Sequence, residues 1–250
     1  MTSDSPRRRP RRTAGGIAQL PWRSITNPFR PVEILSADQV ETIHRASLRI
    51  LREIGFEVLG DRAIDLFAAA GAEVDRSRRL VKLDDGLIEE LVAKAPAEFR
   101  LHARNPERDV ILGGNHLVFS SVGGPAFVTD LDRGRRAGNF ADFVDYVKVI
   151  SSLNIVQQEA GGPLEPTDLP VATRHLDMYR SLIGLLDKTW HCLGAGRLVV
   201  NDAIEMTCLA RGIDRDELVR QPSLITIINT NSPLRLDGPC LLYTSPSPRD

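Results

Sequence analysis

From Asn115 onward, short apolar stretches alternate with longer amphipathic ones at a spacing of about 35 residues. That is the rhythm of repeated βα units, which assemble into a parallel sheet covered by helices. The expected strands are Leu117 to Ser121, Asn154 to Glu159, Thr189 to Leu193 and Leu224 to Asn229. The expected helices are Asn139 to Leu153, Asp168 to Asp187 and Val199 to Gly212. Several strands run out into glycine or small polar residues: Gly123-Gly124, Gly161-Gly162, Gly194 with Gly196, and Asn229 to Ser232. Parallel α/β folds build their sites at such strand ends. Four units fit before Pro239, whereas a closed (β/α)8 barrel takes eight strands and about 250 residues. The expectation is therefore a barrel truncated after about four βα units, with an open doubly wound sheet as the alternative.

Ahead of that rhythm the pattern is helical and short. Val40, Ile43, Ile50, Leu51 and Ile54 fall on one face, Ser36 and Gln39 stand at capping-box spacing, and Gly55 supplies a left-handed stop. A second helix is expected from Asp61 to Gly71 with Ile64 and Phe67 inward, and a third from Asp84 to Pro96 with Leu87, Ile88, Leu91 and Val92 inward. Val58 and Leu80 to Leu83 read as extended. So do Phe99 to Ala103 and Val110 to Leu112, which form a small hairpin bounded by the turn residues Asn105-Pro106 and Gly113-Gly114. The layout is a disordered basic arm (1–30), a helical cap with a β-hairpin (31–114), the first half of a barrel (115–239) and a tail (240–250).

The tail, CLLYTSPSPRD from Cys240 to Asp250, resembles the translated read-through of a transposase adapter used in sequencing libraries. The natural chain is accordingly expected to stop near Pro239, and the unclosed piece to be inactive and aggregation-prone through its exposed strand edges. Near-neutral charge (−1) gives no general pull toward nucleic acid or membrane. Two cysteines outside the tail, Cys192 and Cys208, fit a reducing compartment, and cytoplasm is the default location. Arginine outnumbers lysine 28 to 4, a bias of GC-rich coding DNA and so of a bacterial source. Arg7, Arg8, Arg9, Arg11 and Arg12 lack the apolar core of an export signal behind them and read as a solvated arm, with RNA contact as the alternative.

Familiar catalytic motifs fail. Gly194-Ala195-Gly196 follows a strand, yet the third glycine of a dinucleotide fingerprint would fall at Val199. Phosphate-loop and nucleophile-elbow motifs are missing from the string. His191 and Cys192 are adjacent and so point to opposite faces of a strand, and Cys208 lies on a helix without a partner, which disfavours zinc. His175 reads as a packing residue, while His44, His102 and His116 carry no motif. Glu159 and Glu165 flank Gly161-Gly162, with Glu159 nearer a strand end. Trp190 offers an indole face for a quaternary ammonium, although core packing is the stronger reading.

Taken as a string, Pro31 to Pro239 resembles the N-terminal half of the trimethylamine methyltransferase family. The resemblance rests on LSADQVETIHRASLRILREIGFEV, GAEVD, LHARNPERDVILGG, SSVGGPAFVTDLDRGRR and ITIINTNSPLRLD, in that order and spacing. It implies a (β/α)8 barrel with helical N-terminal decoration. The implied enzyme moves a methyl group from a methylamine or quaternary amine to the cobalt of a corrinoid (cobalamin) carried by a separate partner protein, with no cofactor bound directly. Such a barrel would be a homo-oligomer in complete form, with no membrane and no nucleic-acid partner. Some family members carry pyrrolysine in the later half, beyond Pro239. The arginine-rich composition leans toward a bacterial member without it, acting on a betaine-like quaternary amine.

Placement at strand ends nominates Ser121, Gly123, Gly124, Glu159, Gly194, Asn229, Asn231 and Ser232 for substrate binding, with catalytic residues unassigned and no metal ligands. A lyase or aldolase barrel would need a strand-end lysine or a carboxylate pair, and Lys188 precedes its strand, at the wrong end for a Schiff base.

Overall fold

A computed structural model describes residues 17–227 and 234–236. The chain opens with β1 (Ile25–Thr26), α1 (Ala37–Arg49), a π-helical turn (Ile50–Ile54) and β2 (Phe56–Val58). Next come α2 (Asp61–Ala69), β3 (Glu73–Asp75), β4 (Leu80–Lys82) and α3 (Asp85–Val92). A hairpin of β5 (Glu98–Leu101) and β6 (Val110–Gly113) leads to β7 (His116–Leu117), then to a second hairpin of β8 (Phe127–Asp130) and β9 (Gly134–Ala137). The remainder is α4 (Phe140–Ser152), β10 (Gln158–Glu159), α5 (Arg174–Leu185), β11 (Thr189–His191), α6 (Arg197–Arg211), α7 (Arg215–Arg220), β12 (Leu224–Ile225) and β13 (Arg235–Leu236).

In the cap, α1 starts on the expected capping box: Gln39 N–H donates to Ser36 Oγ and Ser36 N–H to Gln39 Oε1. Gly55 follows the π-helical turn at φ 74°, where an added Cβ would collide with the carbonyl oxygen of Val81, so only glycine fits there. One sheet of order β13–β2–β4–β3 closes the cap over Phe56, Val58, Ile64, Val81 and Leu236. Its first strand arrives from the far end of the chain and lies parallel to β2. The predicted inward face of α1 is corrected: Val40, Ile43, Ile50 and Ile54 are exposed, and Leu48 alone among α1's residues is buried. Leu91 and Val92 of α3 are likewise exposed. Amphipathic spacing specifies a face that can be covered, and of the five residues named Leu51 packs against the cap core.

The 98–113 hairpin forms in the register Leu101↔Val110, as the turn residues suggested. It is tied to the α/β part by His102 N–H donating to Pro222 O (2.7 Å) and Asn105 N–H to Asp187 O (3.1 Å). The arm expected to be disordered is in place from residue 17. There β1 pairs antiparallel with β7, Asn154 Nδ2 donates to Leu20 O, and Gln157 Nε2 donates to Arg23 O.

β10, β11 and β12 form a parallel sheet in chain order, and Ser120 extends it by a parallel bridge to Gln158. Helices α4, α5 and α6 cover one face, where Phe143, Val147, Met178, Tyr179, Leu182, Trp190, Cys192 and Ala203 make a continuous core. The strands are shorter than their apolar runs: β10 keeps the last two residues of its stretch, and β11 the first three, ending ahead of the Gly194 loop. α5 begins at Arg174 rather than near Asp168. Pro170 interrupts the approach, and the Asp168 carboxylate instead accepts from Phe140 N–H at the start of α4 (2.8 Å).

The β8–β9 hairpin was not foreseen. Asp130 accepts from the N–H groups of Asp132 and Arg133 to shape its turn, and Arg136 reaches Asp130 (3.0 Å) and Asp142 (2.6 Å). Asp142 is also the third residue of the α4 capping box with Asn139, and the Arg136 guanidinium beside it holds its carboxyl down to about 2. The hairpin is thus docked to a helix N-terminus through a single carboxylate. Arg136→Ala should speed amide exchange of residues 127–137 by about tenfold or more while α5 keeps its protection. A depressed carboxyl stabilises the docked state above its unfolded pKa near 4 and loses that contribution as pH falls through about 2. The parent hairpin should therefore undock between those values, and an exchange profile flat from pH 5 to pH 2 would contradict the docking.

Candidate functional site

The C-terminal ends of the parallel strands meet at two crossing loops. Ser121 N–H donates to Gln158 O (3.0 Å), and Ser121 Oγ accepts from Ala160 N–H (3.1 Å). Gly124, at φ 81°, donates its N–H to Gly162 O (2.8 Å). A Cβ on Gly123 would collide with the carbonyl oxygen of Ala160. Four of the nominated residues, Ser121, Gly123, Gly124 and Glu159, therefore come together, and the first three knit the 121–124 loop onto the 160–162 loop.

Glu159 has no exposed surface. Its Oε1 accepts from Gly162 N–H, while Oε2 has no partner among the described residues. Burial pushes its carboxyl up to about 7 against the pull of the Gly162, Gly161 and His191 N–H groups. Register decides which way it faces. Parallel partners share a face, and Glu159 pairs with Trp190, whose ring lies 5.2 Å from that of Tyr179 in the helix-side core. Glu159 thus braces the Gly161-Gly162 turn from the helix side.

The opposite face carries Gln158 and Thr189, which are register partners, with His191 two residues on. All three are buried, and Gln158 Nε2, Thr189 Oγ1 and His191 Nε2 lack partners among the described residues. Burial lowers the pKa of His191, keeping its imidazole neutral. Each unpaired buried polar atom costs about 1–3 kcal/mol, so three of them on one face make it a candidate for polar contacts with groups outside the described residues. Strand alternation marks the face, although sequence reasoning singled out only His191 on it, as a poor zinc ligand. Cys192 faces the helix layer, with burial raising its thiol to about 11. Trp190 is core, in line with the packing reading. Lys188 lies at the other end of β11 and donates to Ile150 O (2.7 Å) and Leu153 O (2.6 Å), where burial lowers it to about 8. It closes α4 and is far from the strand ends.

Gly194 lines a cavity of about 510 Å³ at the rim, together with Glu165, Arg174, His175, Leu193 and Val199. Arg174 contacts Glu165 (2.6 Å), and His175 Nε2 lies 2.7 Å from Asp202 Oδ2. His175 is the satisfied packing residue that the sequence suggested, buried against Tyr179 and held by Asp202, whereas Arg174 at the start of α5 had been passed over, because the approach to that helix folds back over the strand ends only in three dimensions. Asn229, Asn231 and Ser232 lie outside the described residues.

The raised Glu159 carboxyl makes a signed prediction. A neutral folded form stabilises at low pH, and that contribution is lost as pH rises from the ordinary carboxyl range through about 7. Glu159→Gln keeps the acceptor for Gly162 N–H and removes the titration. It should be close to parent in stability at pH 5 and more stable at pH 8, by on the order of 3 kcal/mol. Thermal or urea unfolding at both pH values checks this, and an unchanged difference would exclude a buried acid.

Comparison with known proteins places these features in a family. A family model described as Trimethylamine methyltransferase (MTTB) matches residues 2–243. The chain is 35% identical over 204 residues to the glycine betaine methyltransferase of Desulfitobacterium hafniense (strain Y51), covering 82% of this chain and 42% of that protein. It is 30% identical over 95 residues to the trimethylamine methyltransferase MttB of Desulfitobacterium hafniense (strain DSM 10664 / DCB-2), covering 38% and 19%. To the L-carnitine:corrinoid methyltransferase of Eubacterium limosum it is 28% identical over 134 residues, covering 54% and 26%. These relatives are methyltransferases, and the chain spans less than half of their length. Family match and shared sequence together establish that the chain belongs to the trimethylamine methyltransferase family.

Proposed function

We propose that the protein carrying this chain moves a methyl group from a betaine-like quaternary amine to the cobalt of a corrinoid held by a separate protein. In this reading residues 115–239 are the first half of a (β/α)8 barrel. Parallel strands in chain order, with α4, α5 and α6 packed on one face, support it. The substrate class follows the relatives named for glycine betaine, L-carnitine and proline betaine. Our reading is of a cytoplasmic homo-oligomer. No helix among the described residues is long and apolar enough to cross a membrane.

The observation that carries the proposal is the polar face of Gln158, Thr189 and His191 opposite the helix layer. When docked, the corrinoid supplies reduced cobalt as the nucleophile toward the methyl carbon, and the amine nitrogen leaves with the bonding pair. The chain's own task is to hold the ammonium, exclude water and orient the methyl carbon. A neutral His191 suits that task, since it adds no positive charge beside a cation. No protein nucleophile is required, in keeping with a Cys192 thiol turned toward the helices and kept protonated. Gly194 sits on the rim, and we keep Asn229, Asn231 and Ser232 as residues oriented toward substrate or corrinoid. Ser121, Gly123, Gly124 and Glu159 would act one step back, by fixing the loops.

Mixing the whole protein with a reduced corrinoid protein and glycine betaine should bleach the absorbance of reduced cobalt and release a tertiary amine. Absence of both with every quaternary amine offered would overturn the proposal. His191→Phe should lower kcat/KM by at least about tenfold with an unchanged melting temperature. Full activity in that variant would remove the polar face from the site.

A further inference from the structure

The rim cavity at the C-terminal ends of β10 and β11 has an uncommon charge arrangement. Among the described residues its charged lining is one cation and one carboxylate in contact, Arg174 and Glu165, each about one quarter exposed. His175 adds no free group, because its ring is buried and held by Asp202. The remaining walls, including Leu193, Gly194 and Val199, are apolar. Arg174 Nη2 lies 2.6 Å from Glu165 Oε2, and a guanidinium carries five donors, more than one carboxylate engages.

A plus and a minus side by side between apolar walls complement a small molecule carrying the same two charges. A simple ammonium entering this cavity would meet Arg174 as well as Glu165, and their effects would largely cancel. A molecule with a carboxylate beside its ammonium pairs with both. Gly194 lies three residues beyond His191, so the cavity opens at the same end of β11 as the polar face. We infer that Arg174 and Glu165 select zwitterionic quaternary amines: Arg174 takes the substrate carboxylate, Glu165 faces the ammonium, and amines without a carboxylate are rejected. This rests on the reading of the strand ends as the amine site and names the residues that set its specificity.

The test uses the whole protein with two probes, glycine betaine and its methyl ester, which keeps the ammonium and lacks the carboxylate. The wild type should prefer the acid by about a hundredfold in kcat/KM, a loss typical of an unpaired buried charge recognition site. Arg174→Met should raise KM for the acid about as much, leave kcat within about threefold, and erase the preference over the ester. Arg174→Lys, which keeps the charge and loses the fork, should fall between the two. A merely structural arginine would weaken both probes alike, and that result would overturn the inference. So would a wild type that uses the ester as well as the acid, a readout that stands even if Arg174→Met does not fold. Stabilisation against thermal unfolding by millimolar glycine betaine separates the two readings. A shift present in the wild type and lost in the methionine variant, without methyl transfer, would uphold the recognition pair and overturn the reaction. Methyl transfer indifferent to Arg174 would do the reverse.

Discussion

The packing of Trp190 against Tyr179 sets the orientation on which the other features of the α/β part depend. It anchors β11 to α5, and with Cys192 and Ala203 it assigns one face of the parallel sheet to the helices. Once that face is taken, side-chain alternation leaves Thr189 and His191 on the other, and the register carries Gln158 with them. Burial of this core removes a large apolar area from water, at roughly 25 cal/mol per Å². The opposite face carries polar side chains, which add nothing to that gain.

The glycine crossing is the second constraint. Gly123 passes so close to Ala160 that a side chain would not fit, Gly124 takes a positive φ that favours glycine, and Ser121 and Glu159 supply the polar atoms that hold the crossing together. A buried carboxyl near neutrality is costly when charged and inexpensive when protonated. Its location beneath the turn, on the helix side, makes it a brace. The residues we propose to meet a ligand are instead those on the opposite face and at the rim.

Much of the secondary structure was legible. Capping chemistry at Ser36 and turn residues at Asn105 and Gly113 have local causes, and most predicted helices stand close to where they were placed, whereas the strand expected from Leu117 to Ser121 is reduced to an antiparallel pair at Leu117 and a single parallel bridge at Ser120. The β8–β9 hairpin was missed although TDLDRG is a good turn, because its strands are polar and gain their stability from Arg136 reaching a helix N-terminus that the local pattern does not reveal. α5 was drawn too long for a related reason: Asp168 looked like a helix start and serves another helix. The apolar face of α1 shows the limit of periodicity, which states that a stripe exists and not what covers it.

For the site, the residue string established that the strand ends carry glycines and small polar groups, that Lys188 stands at the wrong end for Schiff-base chemistry, and that His191 and Cys192 diverge. These follow from spacing along one strand, where alternation is a property of the backbone. Which of two alternating faces meets the helices, and which loop folds back to bring Arg174 beside Glu165 above Gly194, depends on contacts between segments far apart in the chain. Such contacts are chosen by competition among cores, registers and loop closures over the whole fold, and no local pattern records the outcome.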